Sequence, residues 1–182
     1  MRVIAGTARS MPLKTPKGND VRPTTDRIKE TLFNMLQTYV PDSVFVDVFS
    51  GSGAIGIEAL SRGARHAYFI DNDSSSISCI EENLKFTKLD SRATVIKREA
   101  TSGLMMIKES AADVVFADPP YQAGLEPALL DALSRMSYVT EDTIVIIEAE
   151  LDRDFSFAGR YGFDIIKEKC YKTNKHAWLR KG

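Results

Sequence analysis

The chain has 182 residues, 43% hydrophobic and 27% charged, which suits one globular domain with a full core; no apolar run nears the roughly 18–20 residues of a membrane span, and residues 1–6 lack a secretory signal's apolar stretch, so a cytoplasmic protein is expected. Two isolated cysteines (Cys79, Cys170) and two histidines (His66, His176) exclude a disulfide framework or zinc site, predict no metal, and leave a His-based triad little to draw on. The net charge of −1 conceals +4 over residues 1–30 and +5 over 167–182 against −10 between them, a pattern that suggests a polyanion held by the termini unless the lysines only solubilise them.

Residues 1–5 read as a short strand, and Pro12, Pro16, Gly18 and Pro23 predict irregular chain over 10–24. Thr24 or Thr25 can cap a helix from Asp26 to about Thr38, with Ile28, Leu32 and Met35-Leu36 facing inward. From residue 44 onward, strand-like runs alternate with helical patterns, the sign of a parallel sheet. Strands are predicted at 44–49, 67–70, 93–96, 113–117 and 143–148, the last apolar enough to be central. Helices are predicted at 53–62, from Asp73 or Ser74 to about Thr87, at 101–109 and at 124–136. Residues 163–169 and 175–179 leave no room for a crossover helix and read as an antiparallel pair turning near Thr173-Asn174.

Asp47-Val48-Phe49-Ser50-Gly51-Ser52-Gly53-Ala54-Ile55-Gly56 ends the first of these strands and opens a helix. Gly51, Gly53 and Gly56 fit G-x-G-x-x-G, and Asp71 lies 20 residues past Gly51, a spacing that by itself suits a dinucleotide fingerprint equally well. Asp47 separates the readings. A carboxylate there repels a pyrophosphate but accepts from a cationic ammonium, which S-adenosyl-L-methionine (AdoMet) carries together with a sulfonium and no phosphate. Asp71 would accept from the ribose hydroxyls, each such charge-assisted bond contributing roughly 1.5–3 kcal/mol. Glu99-Ala100, after the third strand of this series, can flank the adenine, although a solvated glutamate is an equal reading.

Asp118-Pro119-Pro120-Tyr121 follows the apolar run Val114-Val115-Phe116-Ala117. Two prolines cannot continue a central strand, so they hold a rigid turn at its C-terminal end, where open α/β sheets bind ligands. A planar amine fits between the Asp118 carboxylate and the Pro119 carbonyl, with the Tyr121 ring stacked on its base. Orienting that amine for in-line displacement of a sulfonium methyl needs no covalent intermediate, and positioning lowers such a two-substrate barrier by up to roughly 7–11 kcal/mol.

The order Asp47…Gly51-x-Gly53, Asp71, Asp118-Pro119-Pro120-Tyr121 resembles AdoMet-dependent amino-methyltransferases. Arg22-Pro23-Thr24-Thr25-Asp26-Arg27-Ile28-Lys29-Glu30-Thr31-Leu32-Phe33-Asn34 and Gly56-Ile57-Glu58-Ala59-Leu60-Ser61-Arg62-Gly63-Ala64 closely resemble the RsmD family, whose members methylate N2 of one guanine in bacterial 16S rRNA, and the similarity spans essentially the whole chain. The resemblance implies a class I AdoMet-dependent methyltransferase (Rossmann-like) α/β fold: a seven-stranded, mostly parallel sheet with a C-terminal antiparallel hairpin, all in one domain over 1–182, with an N-terminal extension over 1–40 and a catalytic core over 41–182. It implies catalysis at Asp118, Pro119, Pro120 and Tyr121, and cofactor contacts from Asp47, Gly51, Ser52, Gly53, Asp71, Asn72, Glu99 and Ala100, with S-adenosyl-L-homocysteine as product. Arg9, Lys14, Lys17, Arg22, Arg27 and Lys29 would meet phosphates of 16S rRNA or of an assembling small subunit, the enzyme acting as a monomer; the alternative for Arg27 and Lys29 is a solvated helix face. The chain departs from the family at Gly6-Thr7-Ala8-Arg9-Ser10-Met11, where an aromatic and a second basic residue are usual, and at Glu99, where a shorter Asp or Asn is usual. The rivals are a nucleotide-dependent oxidoreductase, a non-catalytic RNA-binding assembly factor, and an amino-methyltransferase of DNA adenine, DNA cytosine or protein glutamine.

Overall fold

Strands and helices alternate from Val44 to Glu150, and a closing pair of strands follows, in a computed structural model that describes residues 1–16 and 25–182. In chain order they are α1 (Asp26–Met35), β1 (Val44–Val48), α2 (Ala54–Ser61), β2 (His66–Asp71), α3 (Ser74–Thr87), β3 (Ala93–Lys97), α4 (Ala100–Leu104), β4 (Val114–Ala117), α5 (Glu126–Ser134), β5 (Ile144–Glu150), β6 (Phe163–Cys170) and β7 (Asn174–Lys181). The sheet order is β3-β2-β1-β4-β5-β7-β6. Neighbours are parallel from β3 to β5, and β7 pairs antiparallel with both β5 and β6. The chain winds outward from β1 to β3, then returns to lay β4 on the other side of β1, so the loops after β1 and β4 open the crevice where such sheets bind ligands.

The strand pleat divides the core. Phe45 on β1, Phe69, Phe116, Ile146 and Trp178 pack with α1, α2 and α3 on one face, while Val44, Val46 and Val48, Ile70, Val115 and Val145 pack with α4 and α5 on the other. The central strands are buried on both faces, as their near-continuous apolar runs require.

Helix α1 has ten residues, too few to be stable alone, and depends on its packed stripe. Leu32, Phe33 and Leu36 are fully buried, each contributing roughly 1.5–3 kcal/mol. Thr25 caps it, its hydroxyl accepting from the Ile28 N–H at 3.3 Å.

Several boundaries differ from expectation: α1 ends at Met35, short of Thr38, β5 runs on to Glu150, and three further differences have a local cause. Residues 1–5 form no strand beyond an isolated antiparallel bridge between Arg2 and Pro12, because the N–H groups of Ile4 and Ala5 donate to the Glu58 carboxylate instead (2.8 and 3.0 Å). The predicted 101–109 helix is only α4, its last turn replaced by a bend that leaves Met105 and Met106 exposed while Ile107 stays buried. Strand β1 stops at Val48 because Phe49 takes a left-handed φ of 61°, uncommon for an aromatic residue and typical of ligand-binding turns. No described helix is long and apolar enough to cross a membrane.

Candidate active site at the strand ends

The turn from β1 into α2 is held by its own Ser50 and by carboxylates from β1 and β2. Ser50 Oγ donates to the Asp47 carbonyl (2.6 Å) and accepts from the Ile70 N–H (2.9 Å), stitching β1 to β2. The Gly51 N–H donates to Asp71 Oδ2 (2.8 Å), whose Oδ1 takes the Asp73 N–H (2.9 Å). Each Asp71 oxygen keeps a lone pair for a further donor. Gly51 and Gly53 adopt φ of 54° and 76°, and the backbone of Gly51 faces open space. Gly56 serves packing instead, since a Cβ there would stand 2.4 Å from the Phe69 ring. Half-exposed Asp71 and the open backbone of Gly51 thus offer a ligand acceptors and close approach at a helix N-terminus.

Asp47 lies beneath this turn, 2% exposed, with Oδ2 accepting from the Gly56 N–H at 2.9 Å. Burial lifts its carboxyl well above the usual range against that bond, and Asp71 and Asp118 push the same way. Its second oxygen has no partner among the described residues. A bound ammonium would stabilise its charged form. Ser52 is nearly buried, its carbonyl accepting from Asn83 Nδ2 at 2.9 Å. At the β2 and β3 ends, exposed Asn72 and Glu99 meet, Asn72 Nδ2 donating to Glu99 Oε1 at 2.6 Å, and half-buried Ala100 begins α4.

The second turn abuts the first. The Asp118 N–H reaches the Val48 carbonyl at 3.4 Å, joining the ends of β4 and β1. Pro119 is buried and Pro120 exposed. The Pro120 carbonyl is occupied by the Ala123 N–H (3.0 Å), whereas the Pro119 carbonyl and the Asp118 carboxylate accept nothing among the described residues. Burial and the nearby charge of Glu148 raise the Asp118 carboxyl above its ordinary range. The Tyr121 ring remains 36% exposed, with its hydroxyl donating to Glu148 Oε1 at 2.9 Å.

The basic residues divide. Arg9 and Arg27 are exposed and carry no ion pair among the described residues. Lys14 is exposed but paired with Glu82 at 2.7 Å. Lys17, Arg22 and Thr24 lie outside the described residues. Lys29 is a correction: its side chain is wholly buried, 3.2 Å from Glu58 and donating to the Arg2 carbonyl at 2.5 Å, so it neither reaches a phosphate nor lies on a solvated face. Burial lowers its pKa against the pull of Glu58. The sequence carried the signal, since Lys29, Leu32, Phe33 and Leu36 form one i, i+3, i+4, i+7 stripe.

Sequence reasoning also missed Glu148 and His176, which form a buried polar centre beside Tyr121. The available signal was a glutamate inside the most apolar strand run.

Residues 1–180 match the family described as Conserved hypothetical protein 95. The Ribosomal RNA small subunit methyltransferase D of Escherichia coli is 36% identical over 152 residues, 84% of this chain and 76% of that protein. That of Haemophilus influenzae is 35% identical over 155 residues, 84% of this chain and 80% of its own length. The solved structure of the Escherichia coli protein yhhF aligns with a TM-score of 0.86 at 31% identity, over 100% of this chain and 97% of that one.

A seven-stranded sheet of this order, with a glycine turn after β1 and a rigid proline turn after β4, defines the class I, Rossmann-like methyltransferase fold. Within that class the chain belongs to the RsmD family.

Proposed function

We propose that this protein is an AdoMet-dependent methyltransferase acting on the exocyclic N2 amine of a guanine in small-subunit (16S) rRNA. The observation that carries this reading is the pair of uncommitted acceptors, the Asp118 carboxylate and Pro119 carbonyl, on a turn bonded to the glycine-rich one at 3.4 Å. The rRNA assignment is supported by the small-subunit rRNA methyltransferases named among its relatives.

AdoMet, when bound, supplies the activated methyl group. Gly51, Ser52 and Gly53 would hold it from the β1 turn, Asp47 would accept from its ammonium and Asp71 from its ribose, with Asn72, Glu99 and Ala100 bordering the adenine. The N2 lone pair of guanine is delocalised and a poor nucleophile. Asp118 and the Pro119 carbonyl accept its two N–H bonds, which aims the amine and concentrates its charge, and Pro120 keeps that geometry rigid. The raised pKa of Asp118 also suits it to take the proton that N2 gives up. Tyr121 stacks on the extruded base. Arg9, Lys14 and Arg27, with Lys17 and Arg22, meet phosphates.

In this reading, residues 1–40 form an RNA-facing extension on a catalytic core over 41–182, one monomeric domain working in the cytoplasm on 16S rRNA or an assembling subunit. Mass spectrometry of small-subunit rRNA from a strain lacking the protein tests it. One N2-methylguanine should disappear and return when purified protein and AdoMet are added. An unchanged rRNA methylation profile, or methyl found instead on DNA or protein, overturns it.

A further inference from the structure

The antiparallel register between β5 and β7 sets Glu148 directly opposite His176, so both side chains rise from the same sheet face, joined by Asn174 two residues away on β7. His176 is fully buried, and Glu148 and Asn174 are each 5% exposed. Glu148 Oε2 meets His176 Nε2 at 3.0 Å, and Oε1 accepts from Asn174 Nδ2 at 2.5 Å and Tyr121 Oη at 2.9 Å. A proton on His176 Nε2 satisfies the carboxylate, leaving Nδ1 to accept from the Tyr171 hydroxyl at 3.2 Å. The rings of Phe116 and Tyr171 stand edge-on to the imidazole, with centroids 5.7 and 4.9 Å away. Each part of the centre is therefore fixed by another.

Three donors offset the burial of one carboxylate. Burial alone would raise Glu148, but the bond from His176, with those from Tyr121 and Asn174, holds it below the ordinary range. Two of those donors belong to the rigid sheet and its hairpin. The third belongs to the exposed ring beside Asp118, which its hydroxyl fastens to Glu148. The hydroxyl lies on the axis about which the ring turns, so the bond to a fixed anion holds χ1, and with it the place of the ring, while the in-plane preference of the phenolic O–H biases the ring plane.

We propose that Glu148, seated by His176 and Asn174, is a positioning residue that holds the Tyr121 ring in the place where it receives the target base. The lock rests on the methyl-transfer reading of this corner. The hydrogen bond of Glu148 acts through Tyr121 and its charge on the Asp118 carboxyl, neither on the cofactor side, so its loss affects turnover of RNA and leaves AdoMet affinity unchanged.

The test is a double-mutant cycle on the full chain with small-subunit rRNA and AdoMet, at a pH above the rising limb of the rate profile so that Asp118 is ionised in every variant, read as kcat and KM, with AdoMet Kd measured separately. Tyr121→Phe and Glu148→Ala should each lower kcat/KM for RNA by about tenfold or more, the scale of one hydrogen bond to a charged group. The double variant should lose no more than the worse single one, with AdoMet Kd unchanged. Glu148→Gln should recover most of the activity, because its carbonyl still accepts from Tyr121 while the imidazole proton moves to Nδ1. Losses that multiply, a Tyr121→Phe enzyme as fast as wild type, or a Gln variant as impaired as the Ala variant would overturn the lock.

If Glu148→Ala does not fold, Asn174→Ala takes its place. A smaller loss that vanishes in the Tyr121→Phe background supports the proposal, and an undiminished loss overturns it. The methylated atom is identified on wild-type product. A methyl elsewhere than guanine N2 would overturn the proposed substrate, while the cycle still judges the lock on whichever amine the enzyme methylates.

Discussion

Two carboxylates in this molecule have opposite surroundings. Glu58 on α2 is wholly buried and saturated, accepting from the N–H groups of Ile4 and Ala5, from Lys29 at 3.2 Å and from Arg62 at 2.7 Å. Asp118 at the β4 end is half-buried and accepts nothing among the described residues. Native folds rarely leave desolvated acceptors unused. A saturated carboxylate therefore marks a joint of the fold, in this case between the N-terminal segment, α1 and α2, and an unsaturated one marks a place prepared for a ligand. Glu148 lies between the extremes, saturated by groups of the chain but touching Tyr121 of the proposed catalytic corner.

Substituting each residue tests the contrast. Glu58→Ala strands two backbone donors and two cations, and we expect a loss of about 3–5 kcal/mol, the scale for breaking a buried ion pair, measured by thermal or denaturant unfolding. Wild-type stability would show that the joint is dispensable. Asp118→Ala should unfold like wild type and bind AdoMet normally, yet lose roughly 10²–10³-fold in methyl transfer, comparable to removing one oriented group from a preorganised site. Near-normal turnover would remove Asp118 from the chemistry.

A subtler test uses charge. Burial and the charge of Glu148 raise Asp118, so its carboxyl stays protonated to higher pH than an ordinary aspartate. Protonated, it cannot act as the full acceptor that the proposed methyl transfer to the amine requires. Single-turnover rates should therefore be low on the acid side and rise as pH passes upward through this pKa. The groups facing this corner are Glu148 from β5, Asp47 from β1, His176 from β7 and Tyr121 from the same turn. Glu148→Gln removes one negative charge while keeping the shape, so Asp118 ionises more readily and the rising limb moves to lower pH, by about one pH unit for a single near neighbour. A limb that stays in place, or moves to higher pH, breaks the link between the two carboxylates.

The sequence made legible whatever is written locally. Glycines at 51, 53 and 56, the proline pair at 119–120, caps at Thr25 and Asp73, and alternating apolar runs each predict structure within a few residues of themselves, and the sheet followed. What stayed hidden depends on pairings across long stretches of chain. Glu148 meets Tyr121 from 27 positions away and His176 from 28; Lys29 meets Glu58 across α1 and α2. The register of an antiparallel pair that closes a parallel sheet decides the first case, and no local pattern encodes it. The second was readable in part, because the buried stripe of α1 includes position 29, but a lysine there reads as surface until its partner is known.

That helix supplies the finest comparison, since Arg27 and Lys29 stand two residues apart, about 200° around an α-helix, and point to opposite environments. Arg27 is exposed and carries no ion pair among the described residues; Lys29 is enclosed with Glu58. If the extension meets RNA, Arg27→Ala should weaken rRNA binding modestly and reduce the slope of log affinity against log salt by about one, without changing the unfolding temperature. Lys29→Ala should do the reverse, lowering stability while leaving the salt slope of the folded protein unchanged. Its cost should fall short of that of Glu58→Ala, because Glu58 retains Arg62 and two N–H donors. Filter binding over a salt series, paired with thermal unfolding of the same samples, reads both. Equal salt slopes for Arg27→Ala and wild type would move the RNA-facing charge away from this face of α1.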